Sequence, residues 1–286
     1  MPELPETETI ARDLHAAVAQ AVVARVTVLR ADVLREVTPA QLAQTLEGAQ
    51  INRVWRRAKL VVLDLNAPSK SSEIEPAVIG HIVVQPRFTG ALLLDDGTLP
   101  ADQLNYLTVT FALEDARFLH YRDVRRLGTL SFMSPERFVE YISKLGPEPL
   151  DDSLTDVIFS GLVRASRRPV KSLLMDQSRL AGVGNIYANE ALWRARIDPS
   201  RVAASLTNIE AAKLLAELRA VLTASIAARG TSFRDYRDAR GQRGAFVEQL
   251  KVYGRGGEQC FTCGRRLIDT PAIDGRTTVF CAHCQR

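Results

Sequence analysis

The chain has 286 residues, a length for which two domains are the natural expectation. Hydrophobic residues make up 46% and charged residues 24%, as in an ordinary globular protein with a core. No apolar run approaches the roughly 18 residues of a membrane helix, and the acidic N-terminus argues against a signal peptide, so we expect a cytoplasmic protein. The net charge of +4 permits nucleic acid as a partner without requiring it.

The chain begins with a helical pattern that gives way to short strands. Residues 7–20 are predicted as one helix, because apolar side chains recur at every fourth position from Ile10 to Val18. Thr7 or Thr9 could cap its start. Short strands are predicted at 22–30, 50–57, 60–65, 77–84, 90–94, 106–113, 117–121 and 127–132. This pattern favours a β-sandwich or flattened barrel with one helix at its N-terminal corner.

The second half of the chain is helical and then changes again. A proline-containing start at 134–136 and a Leu-Gly-Pro stop at 145–147 bracket a short helix. Residues 154–228 are rich in Ala and Leu at helical spacing, and short strands are expected around the cysteines. We therefore divide the chain into 1–133, a linker helix and hinge at 134–153, a helical domain at 154–249, and a cysteine-bearing module at 250–286.

Two closely spaced cysteine pairs lie near the C-terminus. Cys260 and Cys263 form one CxxC knuckle, and Cys281 and Cys284 form a second. Two knuckles at hairpin spacing predict one structural Zn²⁺ held by four thiolates, with no open position for chemistry. The alternative is four unligated core cysteines, and His283 is a fallback ligand at best.

A glycine-containing turn separates two predicted helices, one ending near Gln177 and the next beginning near Asn185. Gly182 and Gly184 would let backbone N–H groups form a concave anion cradle, to which the helix start adds its positive dipole. We expect Asn185 to cap the helix and to donate to the same phosphate. A plain helix–helix turn is the alternative; the basic neighbours that favour a phosphate are Arg167, Arg168, Lys171 and Arg179.

The N-terminus reads MPELPE. Removal of the initiator methionine would leave Pro2 as a free secondary amine, which becomes nucleophilic when deprotonated, with a pKa of roughly 8. Glu3 and Glu6 could carry protons for it. Composition alone favours an ordinary solvated N-terminus.

These features, in this order, resemble the formamidopyrimidine-DNA glycosylase/endonuclease VIII family along the whole chain. The other matching stretches are RRAK at 56–59, DVRR at 123–126, LGPEPL at 145–150, LLMDQSRLAGVGNIYANEALWRARIDP at 173–199 and VYGRGGEQC at 252–260. The resemblance implies an α+β multidomain fold. An N-terminal β-sandwich with one helix would be followed by a helix-two-turn-helix domain at 154–249 and a zinc-finger β-hairpin at 250–286.

The resemblance also implies a mechanism. Pro2 would attack C1′ of the damaged nucleotide and form a Schiff base, with Glu3 as acid/base and Glu6 in support. Lys59 matches the lysine that transfers protons in β-elimination, and Arg276 matches the arginine that binds phosphates and assists δ-elimination. The implied partner is duplex DNA with a damaged base or an abasic site, bound by a monomer in the bacterial cytoplasm.

Some DNA-contacting positions depart from the family pattern. The methionine wedge that fills the hole left by the flipped base becomes Phe88, and the stacking phenylalanine becomes Leu127. A histidine becomes Tyr106, whereas the arginine facing the orphaned base is kept as Arg125. The implied DNA-binding residues are Phe88, Tyr106, Arg125, Arg126, Lys171, Gly184 and Asn185.

The substrate class is inferred from one loop. Residues 230–244, with their paired glycines, resemble the loop that covers the flipped base in the purine-specific branch. We therefore expect oxidised purines, 8-oxoguanine and formamidopyrimidines, as substrates. The rivals are an endonuclease VIII-like enzyme for oxidised pyrimidines, a catalytically silent DNA-binding member, and an unrelated zinc-ribbon protein.

Overall fold

A computed structural model describes residues 2–67 and 77–286; Met1, whose removal would expose the Pro2 amine, lies outside them. The chain packs into two compact units, Met1–Ser143 with Ala228–Ala245, and Lys144–Ala227 with Phe246–Arg286. Within the described ranges, no helix is long and apolar enough to cross a membrane.

The first unit combines helices with two β-sheets. Its helices are α1 (Leu4–Val18), α2 (Pro39–Leu46) and α3 (Pro135–Ser143). Its strands are β1 (Val23–Val28), β2 (Leu34–Arg35), β3 (Gln50–Arg57), β4 (Leu60–Asn66), β5 (Val78–Gln85), β6 (Gly90–Asp95), β7 (Leu107–Leu113), β8 (Phe118–Asp123) and β9 (Thr129–Met133).

The second unit is mainly helical. Its elements are α4 (Asp156–Arg164), α5 (Val170–Met175), α6 (Asn185–Ala195), α7 (Asn208–Ala227), β10 (Ile268–Thr270) and β11 (Thr278–Phe280). Short 3-10 turns lie at Ala31–Val33, Ala101–Leu104, Ala203–Ser205 and Phe246–Gln249.

The strands of the first unit form two sheets around one core. Their orders are β1-β7-β8-β6 and β2-β9-β5-β4-β3, and the pairings are antiparallel except for β2 with β9. Phe111 and Leu92 from one sheet and Leu63 and Val84 from the other are buried in a single hydrophobic cluster, together with Leu14 of α1. The predicted α+β class with an N-terminal β-sandwich is confirmed.

The first helix begins earlier than the sequence pattern predicts. It starts at Leu4 instead of residue 7, because Pro5 favours the first turn and the backbone N–H of Glu3 donates to the Glu6 side chain. It ends at Val18 instead of residue 20, since Gln20 has the left-handed φ of 71° and cannot continue the helix. The polar residues Glu3 and Glu6 are thereby fixed at a helix start.

Two further details of the first unit were not predicted. Helix α2 was missed, although Thr38 and Gln41 form a capping pair in which Thr38 Oγ1 accepts from Gln41 N. Strand β7 begins at Leu107. The alternation of buried and more exposed side chains along it is interrupted at Thr108, where the pairing with β8 is irregular. The Thr108 side chain is buried, and its hydroxyl donates to Tyr121 O at 2.7 Å.

In the second unit, Glu190 of α6 joins the helices to the segment that leads into the cysteines. It is completely buried. Its Oε1 accepts from the backbone N–H groups of Val252 and Tyr253, each at 2.8 Å, and both its oxygens lie within hydrogen-bond distance of Lys251 N. A carboxylate without water is stable here because main-chain donors replace its hydration.

We therefore expect Glu190→Ala to lower the free energy of unfolding of the full chain by about 2–5 kcal/mol, because it leaves buried N–H groups unpaired. Urea unfolding measures this change. Glu248→Ala, which removes an exposed carboxylate of the same unit, is the control. A loss no larger than that of the control would show that Glu190 does not anchor this segment.

Candidate active site and nucleic-acid interface

The N-terminal turn of α1 gathers the residues predicted to carry the chemistry. Pro2, Glu3 and Glu6 are all buried. The N–H of Glu3 donates to Glu6 Oε2 at 2.8 Å, which closes the first turn and fixes the Glu6 side chain beside residue 3. The positive end of α1 stabilises negative charge at this point. The turn therefore places two carboxylates close to the predicted nucleophile.

The segment 228–245 packs against this turn within the same unit. Its Thr231 N–H donates to Glu6 Oε1 at 2.8 Å, so the two Glu6 oxygens serve two different chain segments. Gly230 has φ +85°, and a Cβ there would lie 3.0 Å from Glu6 Cγ, which makes glycine the fitting residue. Burial and the nearby Glu6 charge raise the pKa of Tyr236, so its phenol stays protonated and donates towards Glu6 O.

The β3–β4 hairpin carries Lys59 at its tip. The turn contains Ala58 at φ +54°, and Lys59 itself is largely buried. Arg56 spans from the hairpin to α1, since its Nε donates to Glu8 at 2.8 Å and its Nη1 to Ala58 O at 3.1 Å. Burial opposes ionisation of Glu8, but Arg56 and Arg12 outweigh it and lower the pKa of this carboxyl. The ion pair therefore holds the lysine-bearing tip against the helix of the N-terminal turn.

Two loops of the sandwich present the predicted wedge and its neighbour. Residues 86–89 connect β5 to β6, and residues 124–128 connect β8 to β9. Phe88 is 47% exposed, so it is not a core residue, and the Arg125 guanidinium lies over its ring at 5.6 Å from the centroid. The structure thus brings together Phe88, the predicted wedge, and Arg125, which is predicted to face the orphaned base.

Tyr106 lies near Arg126, which belongs to the same 124–128 loop as Arg125. Tyr106 is 62% exposed and has the left-handed φ of 63°, a strained conformation for an aromatic residue. It lines an open cavity of about 830 Å³ together with Arg126, which pairs with Asp32 at 2.8 Å. An exposed aromatic beside arginines is the kind of surface that contacts nucleic acid.

In the second unit, the turn between α5 and α6 has the predicted form. Gly182 has φ +84°, and Gln177 holds the turn by accepting from Gly182 N and donating to Val183 O. Gly184, and not Asn185, is the N-cap of α6. Asn185 is the first helical residue, and its Nδ2 donates to Thr277 O at 2.9 Å.

Lys171, which the resemblance matches to a phosphate-binding position, is completely buried. Its Nζ donates to Thr277 O at 2.9 Å and to Thr278 Oγ1 at 2.7 Å. An ammonium group bonded to these two protein oxygens helps to hold the β10–β11 hairpin in place.

Arg276 is exposed in the turn of that hairpin. Its N–H donates to Ile273 O at 3.1 Å, and its carbonyl accepts from Thr278 Oγ1 at 3.1 Å. Because Lys171 and Asn185 both bond Thr277 O, the residue after Arg276 is fixed to the helices of this unit. The arginine side chain therefore projects from a rigidly held turn.

The four cysteines form one cluster. Their Sγ atoms all lie within 4.8 Å of one another, and the distances are 4.0 Å for Cys260–Cys284 and 3.5 Å for Cys263–Cys281. Four thiolates around one ion at about 2.3 Å would lie about 3.8 Å apart. The cluster has the geometry of a structural metal site.

Comparisons with known proteins identify the family of the chain. Sequence models of the formamidopyrimidine-DNA glycosylase N-terminal domain and of its H2TH domain match residues 1–130 and 145–237. A formamidopyrimidine-DNA glycosylase of Carboxydothermus hydrogenoformans is 37% identical over 286 residues, with complete coverage of both chains. The chain belongs to the formamidopyrimidine-DNA glycosylase family.

Solved structures of this family support the fold in the same way. The Lactococcus lactis enzyme in complex with N7-benzyl-Fapy-dG DNA matches with a TM-score of 0.86 and 28% identity over 100% of both chains. A second complex of that enzyme, with DNA containing an oxidised pyrimidine, has a TM-score of 0.85 at 28% identity and the same coverage. As a glycosylase of this family, the chain is a DNA-repair and DNA-binding protein.

Sequence reasoning missed several residues that hold these family features in place. Asn189 accepts from Val279 N and donates to Asn185 O, and its spacing of four residues from Asn185 on one helix was a usable signal. Thr89 and Asp123 bond each other across 34 positions of sequence, for which no local pattern exists.

Cys263→Ser should release the metal and loosen the β10–β11 hairpin, because three thiolates bind a structural ion far less tightly than four. Elemental analysis of the purified full chain gives the metal content, and binding to duplex DNA gives the consequence. Thr262→Ala, inside the same knuckle, is the control and should keep the metal. Equal metal content in the two variants would show that the cysteines are not its ligands.

Proposed function

We propose that this chain is a bifunctional DNA glycosylase and AP lyase that removes oxidised purines, 8-oxoguanine and formamidopyrimidines, from duplex DNA. The observation that carries the proposal is the buried turn that holds Pro2, Glu3 and Glu6 together. A secondary amine beside two carboxylates at a helix start has both a nucleophile and proton carriers within one turn. Met1 must be removed first, because it ties up the Pro2 nitrogen as an amide.

In the first step the Pro2 nitrogen forms a bond to C1′ of the damaged nucleotide. The glycosidic bond breaks, and the base leaves with the electron pair and takes up a proton. Glu3 supplies a proton to the ring oxygen as the sugar opens, and the amine proton is lost, which leaves a cationic iminium between Pro2 and C1′. Glu6 holds the turn in which this charge develops, since its carboxylate is fixed by two N–H groups.

The iminium then makes elimination possible. It acidifies the C2′ proton, whose removal expels the 3′ phosphate, and a second elimination expels the 5′ phosphate. We assign proton transfer in the first elimination to Lys59, because the Arg56–Glu8 pair holds its hairpin tip against α1. Arg276, in its fixed turn, neutralises the departing phosphate charge.

Binding of duplex DNA rests on the remaining residues. Gly184 and Asn185 at the start of α6 offer N–H groups and a helix dipole to a phosphate, and Arg126 adds charge. Phe88 would fill the space of the flipped nucleotide, and Arg125 would bond the orphaned base. Tyr106 offers a ring for contact with the strand. The metal is one structural Zn²⁺ on the four cysteines, where it stabilises the hairpin that bears Arg276.

The choice of oxidised purines depends on the segment 228–245. Its contact with Glu6 through Thr231 sets a loop next to the reacting carbon, where it can cover a large extruded base. Oxidised pyrimidines remain the competing substrate class, because the chemistry at Pro2 would be the same. A panel of duplexes that each carry one defined lesion separates the two classes.

Borohydride should reduce the iminium and trap a covalent complex between the processed chain and duplex DNA containing 8-oxoguanine. Pro2→Gly should lower the yield of trapped complex at least about tenfold, because a primary amine replaces the ring nitrogen. Denaturing electrophoresis measures the yield. A chain blocked by retained Met1 is the matched control, since it keeps every other residue.

Equal trapping by the blocked chain would refute Pro2 as the nucleophile. If the chain were trapped only on duplexes that carry an oxidised pyrimidine, its substrates would be oxidised pyrimidines and not oxidised purines. Binding to all duplexes without any trapping would identify a silent DNA-binding member of the family.

Phe88→Ala should leave thermal stability nearly unchanged, because the ring is half exposed. It should lower excision from duplex DNA roughly 5- to 150-fold, since stacking of one ring on a base returns about 1–3 kcal/mol of the flipping cost. Cleavage at an abasic site, where no base is extruded, should change less. Single-turnover rates on both substrates give the comparison.

Phe118→Ala is the matched control, because Phe118 is a comparably exposed phenylalanine of the same unit outside both loops. It should affect neither rate. A parallel fall of both rates for Phe88→Ala, together with a lower melting temperature, would rule out the wedge role.

A further inference from the structure

The 86–89 and 124–128 loops are joined by a buried pair of side chains. Asp123 is the last residue of β8, and Thr89 directly precedes β6; both are buried. Thr89 Oγ1 donates to Asp123 Oδ1 at 2.5 Å. The pair therefore connects the end of one strand to the start of the neighbouring strand, at the point where both loops leave the sheet.

The same two side chains also hold the backbone of the 124–128 loop. The Arg125 N–H donates to Thr89 Oγ1 at 3.0 Å and lies 3.2 Å from Asp123 Oδ1. The Gly128 N–H donates to Asp123 Oδ2 at 2.8 Å. Both carboxylate oxygens of Asp123 and the hydroxyl of Thr89 thus form hydrogen bonds, and these bonds hold the ends of the two loops.

The remaining geometry leaves these loops little freedom. A Cβ at Gly90 would lie 2.3 Å from Pro86 O, and one at Gly128 would lie 2.1 Å from the Tyr121 hydroxyl. Arg87 and Arg126 have φ values of 51° and 52°, which such residues adopt only where the surroundings impose them.

Phe88 and Arg125 are each one or two residues from the pair. Phe88 precedes Thr89, and Arg125 lies two residues after Asp123. Their side chains meet, with the guanidinium 5.6 Å from the ring centroid. Because the anchors hold Thr89, which follows Phe88, and the backbone N–H of Arg125, a shift of either loop would separate the ring from the guanidinium.

We infer that Asp123 and Thr89 are positioning residues that hold Phe88 and Arg125 as one rigid unit, so that insertion of the ring and recognition of the orphaned base occur together. This inference rests on the proposed function. The hydroxyl of Thr89 is its essential group, because it donates to Asp123 and accepts from Arg125 N at the same time.

The test uses Thr89→Val, which removes the hydroxyl and keeps the shape, and Thr89→Ser, which restores it. The control is Thr108→Val, because Thr108 is also buried and its hydroxyl, on strand β7, donates to Tyr121 O. All three variants are made in the full chain with Met1 removed and metal bound, and their melting temperatures are recorded.

Excision of 8-oxoguanine paired with cytosine is compared with excision of the same lesion paired with adenine. Thr89→Val should lower the rate of excision opposite cytosine about 10- to 100-fold, because the Arg125 side chain that recognises the orphaned base is displaced. The rates of excision opposite cytosine and opposite adenine should then become similar. Cleavage at an abasic site should stay within about twofold of the parent. Thr89→Ser should recover faster excision opposite cytosine than opposite adenine. Thr108→Val should keep this preference, although its melting temperature should fall about as far as that of Thr89→Val.

Loss of the preference in Thr108→Val to the same extent as in Thr89→Val would overturn the inference, as would equal behaviour of Thr89→Val and Thr89→Ser. A second measurement needs no catalysis. The fluorescence of 2-aminopurine opposite a stable abasic analogue should rise when the parent chain binds and inserts its ring, and should rise less with Thr89→Val.

A parent chain that raises the fluorescence but excises no lesion would end the proposed function and leave the positioning role standing. An equal rise with the parent and with Thr89→Val would end the positioning role.

Discussion

A carboxylate taken out of water is stable only where donors of the protein replace its hydration, and this requirement fixes the functional segments of the molecule. Glu6 meets it with an N–H of the 228–245 segment, Asp123 with N–H groups of the 124–128 loop, and Glu190 with the chain that leads into the cysteines. In each case main-chain N–H groups are among the donors, and Asp123 also accepts from the Thr89 hydroxyl. The path of the backbone is therefore set by the buried charge, and the side chains along that path are left available for binding and chemistry.

Because the buried carboxylates hold the backbone and leave the exposed side chains unconstrained, the chain can differ from its family pattern at those exposed side chains. Phe88, Tyr106 and Leu127 stand at positions whose side chains are exposed and take no part in the anchoring of the loops by Asp123. Exchange of such a side chain alters what DNA would meet without altering the fold beneath it. Asp123 and Glu6 have no such freedom, because replacing either would leave buried N–H groups without acceptors.

Patterns within a short stretch of sequence predicted most of the sandwich strands, the α5–α6 turn and the cysteine cluster. Those features depend on spacing: the alternation of β7, the two glycines of the turn, and the CxxC pairs. The bond between Glu6 and Thr231 joins residues 225 positions apart, and the Thr89–Asp123 bond spans 34. Such bonds depend on the tertiary fold, and so does the burial of Lys171, which the local sequence pattern does not indicate. The start of α1 was missed for another reason, since the Glu3–Glu6 bond competes with the threonine caps that the pattern suggested.

The contact between Phe88 and Arg125 adds a direct link to the one made by the backbone. A cation over an exposed ring contributes about 0.5–1 kcal/mol, so the arginine is partly ordered before any DNA arrives. Less side-chain entropy then remains to be lost when it meets a base. A methionine at position 88 has no ring face on which to hold the guanidinium, whereas phenylalanine combines a stacking surface with that contact. Leu127 offers less stacking surface than a phenylalanine would. In the proposed mechanism the ring has therefore been moved from the 124–128 loop to the 86–89 loop, where it both enters the duplex and orients the arginine.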